Sequence, residues 1–163
     1  MGEILENEKL FLKRKKWDQR FLKLAKFISE WSKDPSTKVG AVIVDDKNII
    51  LGLGYNGFPR GVPDREDDYL DKKVKYELIV HAEMNAILNS SKNLYNCNAT
   101  IYIWPLFPCN ECAKAISQSG IKRVVSVKND KNQKWNMETS KYIFDSNNIE
   151  YVLYSPEFID DNL

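Results

Sequence analysis

"VGAVIVDDKNIILGLGYN", residues Val39 to Asn56, places two β-rich runs on either side of the polar stretch Asp45–Asn48. Val, Ile and Leu flanking a short Asp/Lys/Asn segment read as two antiparallel strands joined by a turn. The segments downstream of this hairpin set the fold class. "ATIYIW" (Ala99–Trp104), "IKRVVSV" (Ile121–Val127) and "IEYVLY" (Ile149–Tyr154) read as three further strands. Helical patterns separate them: "CNECAKAISQSG" (Cys109–Gly120), with Gly120 placed as its C-terminal stop, and "NMETSKYIFDSNN" (Asn136–Asn148). Strands joined through helices pair in parallel, whereas a tight turn pairs them antiparallel. The expectation is an α/β protein: a central mixed five-stranded sheet between two helical layers, α/β/α.

Upstream of the hairpin, Trp17, Phe21, Leu24, Ala25, Ile28 and Trp31 recur at three- and four-residue steps and form one apolar helical stripe. Pro35 should end that helix, because the residue before a proline is pushed out of the α region. Residues 1–16 are charged and without a clean period apart from Leu10–Leu12, and "KRKK" (Lys13–Lys16) reads as a basic patch or, more often for such a run, a solvated helix face. Gly57–Lys75 is rich in Gly, Pro and Asp and reads as a long loop, a length that often carries function. A short helix should run from about Ala82 to Ser90. The organisation expected is a charged extension (1–16), one domain (17–155) and a C-terminal tail (156–163).

With 163 residues and 43% apolar content the chain can bury a core. A net charge of +1 gives no global field to recruit nucleic acid or an anionic membrane. No apolar run approaches the length of a membrane span, and the N-terminus lacks a secretory pattern. Three cysteines, two of them in "CNEC", argue against a disulfide framework and for a reducing compartment. A soluble cytoplasmic protein is expected.

Chemistry concentrates in two short segments, "HAE" (His81–Glu83) and "PCNEC" (Pro108–Cys112), each at the entry to an expected helix. Cys109 and Cys112 are three apart, so both sulfurs can face one point from a first helical turn, where the helix dipole favours thiolates. His81 is the only histidine. If the two helix starts converge they supply one nitrogen and two sulfurs, a three-ligand set that leaves the fourth position of Zn²⁺ open to water. Glu83 then reaches the water rather than the metal and serves as proton shuttle. HxE with PCxxC is the signature of the zinc nucleobase deaminases. Other readings stand beside it. His81 can be a core histidine, "CNEC" a redox pair, or the site a closed structural zinc completed by Cys97.

"SKDPSTKVGAVIV", "GLGYNGFPRGVPD", "HAEMNAI" and "LFPCNECAKAISQSGIKRVV", in that order, closely resemble the deoxycytidylate (dCMP) deaminases of the zinc-dependent cytidine deaminase superfamily. The resemblance spans Trp17 to about Val127. It implies the cytidine deaminase-like fold and hydrolytic deamination of dCMP to dUMP and ammonia, which supplies thymidylate synthesis. It assigns His81, Cys109 and Cys112 as zinc ligands and Glu83 as the proton carrier. Asn56 matches a sugar-contacting position, with a turn role as the alternative. Ala82 should lie against the base, and Phe107 either walls the base pocket or sits in the core. Lys33, Lys38 and Tyr76 are candidates for the 5′-phosphate. The resemblance further implies activation by dCTP with Mg²⁺, inhibition by dTTP, and a homohexamer. Tyr55, Asn56, Gly57, Arg60 and Arg65 then become candidates for the allosteric nucleotide, since glycines admit a ligand to the backbone and arginines hold phosphate. With one histidine the chain should hold a single zinc per subunit. Two rivals remain: a deaminase of cytidine, CMP, dCTP or tRNA adenosine, and a zinc-binding module without turnover.

Overall fold

A computed structural model of the chain describes residues 2–129 and 135–160, with side chains from residue 6. Helix α1 (Gly2–Ser29) leads into strands β1 (Gly40–Val44) and β2 (Ile50–Tyr55). Helices α2 (Glu66–Leu70), α3 (Lys72–Leu78) and α4 (Ala82–Leu88) come next. Then β3 (Thr100–Trp104), α5 (Asn110–Ser119), β4 (Arg123–Val127), α6 (Glu138–Ser146) and β5 (Glu150–Tyr154) alternate. The sheet order is β2-β1-β3-β4-β5. β1 pairs antiparallel with β2 and β3, while β3, β4 and β5 run parallel. This is the mixed five-stranded sheet the alternation implies.

The hairpin turn is built by Asp45. Its carboxylate accepts the amides of Lys47 and Ile49, both at 2.9 Å, and Asn48 takes the positive φ of 63° that closes the turn. Because successive strand residues face opposite sides, the sheet sorts its apolar residues into two cores. On one face Ala41, Ile43, Ile101, Ile103 and Val124 pack against α4, α5 and α6 through Ala86, Ile116 and Phe144. On the other, Val42, Val44, Tyr102, Val125 and Val127 meet Phe21, Leu22 and Ala25 of α1 and Phe158 and Ile159 near the C-terminus. The layers are therefore α/β/α.

Four local expectations change. α1 begins at Gly2, not near Trp17, because its first four turns are rich in the helix formers Glu, Leu and Lys and need no apolar stripe. It stops at Ser29, before Pro35. The amides of Glu30, Trp31 and Ser32 bond to carbonyls three residues back, tightening the end, and Trp31 lies outside the helix, 53% exposed. The span read as a long loop, Gly57–Lys75, contains α2 and the start of α3. Glu66, Asp67 and Asp68 suit the positive end of α2, and the Asp71 carboxylate caps α3 by accepting from Lys73 and Val74. The expected C-terminal tail is in part docked structure. Pro156–Asp160 forms a 3₁₀ turn with Phe158 and Ile159 buried, and Gln19 Nε2 donates to the Phe158 carbonyl. Residues 161–163 of that tail, Met1 and the side chains of residues 2–5 lie outside the described residues.

α1 is fastened to the sheet by one buried ionic knot. Asp18, 1% exposed, receives both terminal nitrogens of Arg123 at 2.6 and 2.7 Å, the Tyr102 hydroxyl at 3.0 Å and the Tyr154 hydroxyl at 2.8 Å. Removing one partner of such a pair strands the other as an uncompensated buried charge. Arg123→Met should therefore cost about 3 kcal/mol or more of stability, read by urea unfolding; a loss below about 1 kcal/mol would show that the two tyrosines alone satisfy Asp18.

Candidate metal and substrate site

The site begins with glycines in β2. A Cβ on Gly54 would strike the carbonyl of Ala82 and the amide of Ala86, and one on Gly52 would strike the Ala86 carbonyl. With hydrogens there instead, α4 lies with its backbone directly on the sheet. His81 is the N-cap of that helix, in extended conformation, and Glu83 lies in its first turn. Cys109 is the N-cap of α5, and Cys112 sits three residues further on. Gly120 ends α5 with a left-handed φ of 86°, and a side chain there would strike Tyr95.

The two helix starts converge. His81 Nδ1 stands 3.5 Å from Cys109 Sγ and 3.3 Å from Cys112 Sγ. A tetrahedral centre with Zn–N of about 2.05 Å and Zn–S of about 2.3 Å separates such ligand atoms by about 3.5 Å. The donor set and its spacing therefore fit Zn²⁺. Cys97 is not among the clustered donors. It is half-buried elsewhere, its thiol donating to the Asn93 carbonyl. Among the described residues the cluster has three ligands, which removes the support for a closed site completed by Cys97.

The three donors are coupled to one another electrostatically. A hydrogen bond from the Cys112 thiol, aided by His81, brings the Cys109 thiol down to about 4. Cys112 is pushed up in turn, because that bond and its burial both favour its neutral form. The bond to Cys109 raises His81. Glu83 is buried, 4% exposed, and burial lifts its carboxyl above the usual range against the opposing pull of His81. A carboxyl with that environment, within hydrogen-bonding reach of Cys112, is suited to hold and release a proton.

His81, Ala82 and Glu83 open into a pocket whose apolar lining comes from Val39, Ile79 and Leu106. Its polar wall is a fixed network. The Asn56 amide donates to Asp34 Oδ2 at 3.2 Å and to the Thr37 carbonyl at 2.9 Å, and its oxygen accepts the Val39 amide at 2.8 Å. Asn56 is thus a buried strut at the end of β2 rather than a turn residue. Lys75, 6% exposed, bonds Asp34 Oδ1 at 2.8 Å and also reaches Ser36. Burial pushes the Asp34 carboxyl up, but its bonds to Lys75, Ser36 and Thr37 outweigh that and hold it below its ordinary value.

Several expected site residues lie elsewhere. Phe107 is fully buried in the core, edge-on to Phe144 and Tyr151 at ring distances of 5.8 and 5.9 Å; Leu106 takes its place on the pocket wall. The strand-to-helix connection points alternate residues to opposite sides, and Leu106 is the one turned to the pocket. Lys33 pairs with Asp64 at 2.9 Å and Lys38 faces Glu30 at 3.8 Å, both outside the pocket. Tyr76 does line it, at the rim and 62% exposed. Of the residues assigned to an effector, Tyr55, Gly57 and Arg60 share a separate surface groove with Asn85 and Asn89, where Arg60 donates to Asn89 Oδ1 at 2.8 Å. Asn56 faces the main pocket instead, and Arg65 stands at the N-cap position of α2, outside the groove lining. Sequence reasoning missed Asp34, Lys75, Leu106 and Trp135. Trp135 alone left a signal, a single large aromatic in the polar stretch "KNDKNQKWN" (Lys128–Asn136).

A family model of the cytidine and deoxycytidylate deaminase zinc-binding region matches residues 15–128. The chain belongs to the cytidine and deoxycytidylate deaminase family. A probable deoxycytidylate deaminase of Drosophila melanogaster is 41% identical over 153 residues, covering 86% of this chain and 73% of the fly protein. A probable deoxycytidylate deaminase of Caenorhabditis elegans is 50% identical over 115 residues, covering 68% of this chain but only 57% of the worm protein. Among solved structures, the dCMP deaminase of cyanophage S-TIM5 in complex with dCMP and dUMP superposes with a TM-score of 0.64 at 25% identity, over 82% of this chain and 93% of that one. The deaminase family matched at residues 15–128 is named for zinc binding, and the three clustered donors lie within that span.

His81→Ala and Cys109→Ser should each lose bound zinc, whereas Glu83→Gln should keep it at one equivalent per subunit, measured by metal analysis of purified protein. Zinc retained in both ligand variants would overturn the ligand assignment.

Proposed function

We propose that this deaminase hydrolyses dCMP to dUMP and ammonia with one zinc held by His81, Cys109 and Cys112. The observation that carries the reading is the buried Glu83 carboxyl beside the His/Cys/Cys donor set, at the inner end of a pocket with apolar sides and a fixed polar wall. The names of the fly and worm relatives and the dCMP- and dUMP-bound cyanophage structure support a deoxycytidine nucleotide as substrate.

When bound, zinc supplies the Lewis acidity that makes water a nucleophile at neutral pH. Glu83 accepts the proton that water loses on attacking C4 of the cytosine. It delivers that proton to ring N3 and then carries the second proton, from the new C4 hydroxyl, to the departing amino group, so that water and dCMP give dUMP and ammonia in balance. Burial serves both halves of this cycle, because it lifts the Glu83 carboxyl above the usual carboxylate range and so lets it hold a proton. Val39, Ile79 and Leu106 exclude water from the base, Ala82 lies along it, and Asn56, held rigid by Asp34 and Thr37, faces the sugar. Tyr76 at the rim is the phosphate candidate that lies on the pocket.

Regulation belongs to the same proposal. The groove of Tyr55, Gly57 and Arg60 is the candidate site for dCTP–Mg²⁺ and dTTP. Exposed Phe27, Trp31 and Tyr55, in edge contact along one surface, suit a homohexamer contact. No helix among the described residues is long and apolar enough to cross a membrane, and three free cysteines suit the cytoplasm.

Zinc-loaded protein should release ammonia from dCMP and not from CMP, deoxycytidine or dCTP, faster with dCTP–Mg²⁺ and slower with dTTP. Glu83→Gln should lower kcat at least about a hundredfold while binding dUMP as the wild type does. Turnover of dCMP without either response would remove the regulatory part. A Glu83→Gln enzyme at wild-type rate would remove Glu83 from its role, and no release from any substrate at full zinc would return the reading to a binding module.

A further inference from the structure

Trp135 precedes α6 and turns its indole toward the substrate pocket, where it forms part of the lining together with His81 and Glu83. Its Nε1–H is closed off from solvent and meets no acceptor among the described residues. Among those residues only Arg123 Nε shares that condition, and it faces Glu150 Oε1 at 3.4 Å. The other buried donors of the pocket are engaged. Both hydrogens of the Asn56 amide go to Asp34 and Thr37, and the Lys75 ammonium goes to Asp34 and Ser36. A buried N–H without a partner is disfavoured, and such groups are rare unless an acceptor arrives with a ligand. Indole is donor only, so the missing partner must be an acceptor atom.

We propose that Trp135 is a substrate-binding and specificity residue whose indole N–H donates to an oxygen of the bound pyrimidine nucleotide while its ring walls the pocket. The inference rests on the proposed dCMP activity. A pyrimidine carbonyl, a sugar hydroxyl and a phosphate oxygen share the required acceptor chemistry. Phenylalanine keeps the ring and removes the N–H, so W135F isolates the bond from the wall.

The test uses the full-length, zinc-loaded protein with dUMP, deoxyuridine and inorganic phosphate as probes, in calorimetry and in ¹⁵N-indole NMR. The chain has four tryptophans, so four indole signals are expected, and W135F or W135Y identifies that of Trp135. Saturating dUMP should shift the Trp135 signal, and W135F should bind dUMP about tenfold more weakly, the loss of one hydrogen bond. An equal loss for deoxyuridine would place the acceptor on base or sugar; a loss confined to dUMP, with a shift on adding phosphate alone, would place it on the phosphate. Either result supports the proposal. The NMR shift is a wild-type measurement and does not depend on how stably the variant folds. An unmoved Trp135 signal at saturation, with unchanged affinity in W135F, would overturn this inference alone. No dUMP binding to the wild type would overturn it together with the dCMP reading.

Discussion

The backbone contact between α4 and β2 is the constraint on which the site depends. Gly52 and Gly54 remove the side chains that would hold the helix off the sheet, and the neighbouring faces of α4 are Ala82 and Ala86. At that distance the first residues of α4 lie over the end of β2 at Gly54, and His81 meets the start of α5. A larger residue at Gly54 would displace the helix start that carries His81 and Glu83. Packing on small residues therefore fixes where the clustered donors stand as surely as their own chemistry does.

The same fold keeps opposite demands apart. On the α1 face a charge is buried for anchorage: Asp18 and Arg123 are matched, bidentate and surrounded by tyrosine hydroxyls. On the α4/α5 face the buried Glu83 has no cation comparable to Arg123, and burial lifts its carboxyl. Two carboxylates of similar exposure thus sit in different electrostatic settings because one is fully paired and the other is not.

Much of this was legible in the sequence. The hairpin around Asp45–Asn48, the three later strands and the helices at Ala82, Asn110 and Glu138 arise from periodicity and turn chemistry, which act locally. HAE and PCNEC pointed to the donors that the structure brings together, His81, Cys109 and Cys112, because few arrangements explain that set. The start of α1 was hidden because its turns from Glu6 to Arg14 face solvent and leave no apolar stripe. α2 and α3 were hidden because they are short, and their caps, Arg65 and Asp71, sit in a stretch whose Gly, Pro and Asp content reads as loop. The pocket wall was the least legible part. Lys75 looks like any surface lysine until the fold brings Asp34 beneath it from 41 positions away. Phe107 and Leu106 are adjacent aromatic and aliphatic residues, and only the geometry after β3 decides which one faces the pocket.

Asp34 gives the wall a further property. One carboxylate holds both Lys75 from α3 and Asn56 from the end of β2, so neither residue can change without altering the other's partner. Substitutions at these three positions share one network and will not combine additively. Replacing Lys75 alone leaves Asp34 with a surplus charge, and replacing Asp34 alone leaves a buried ammonium. Asp34 thereby ties α3 to the end of β2, so the wall moves as one unit even where no single member touches the reacting atoms.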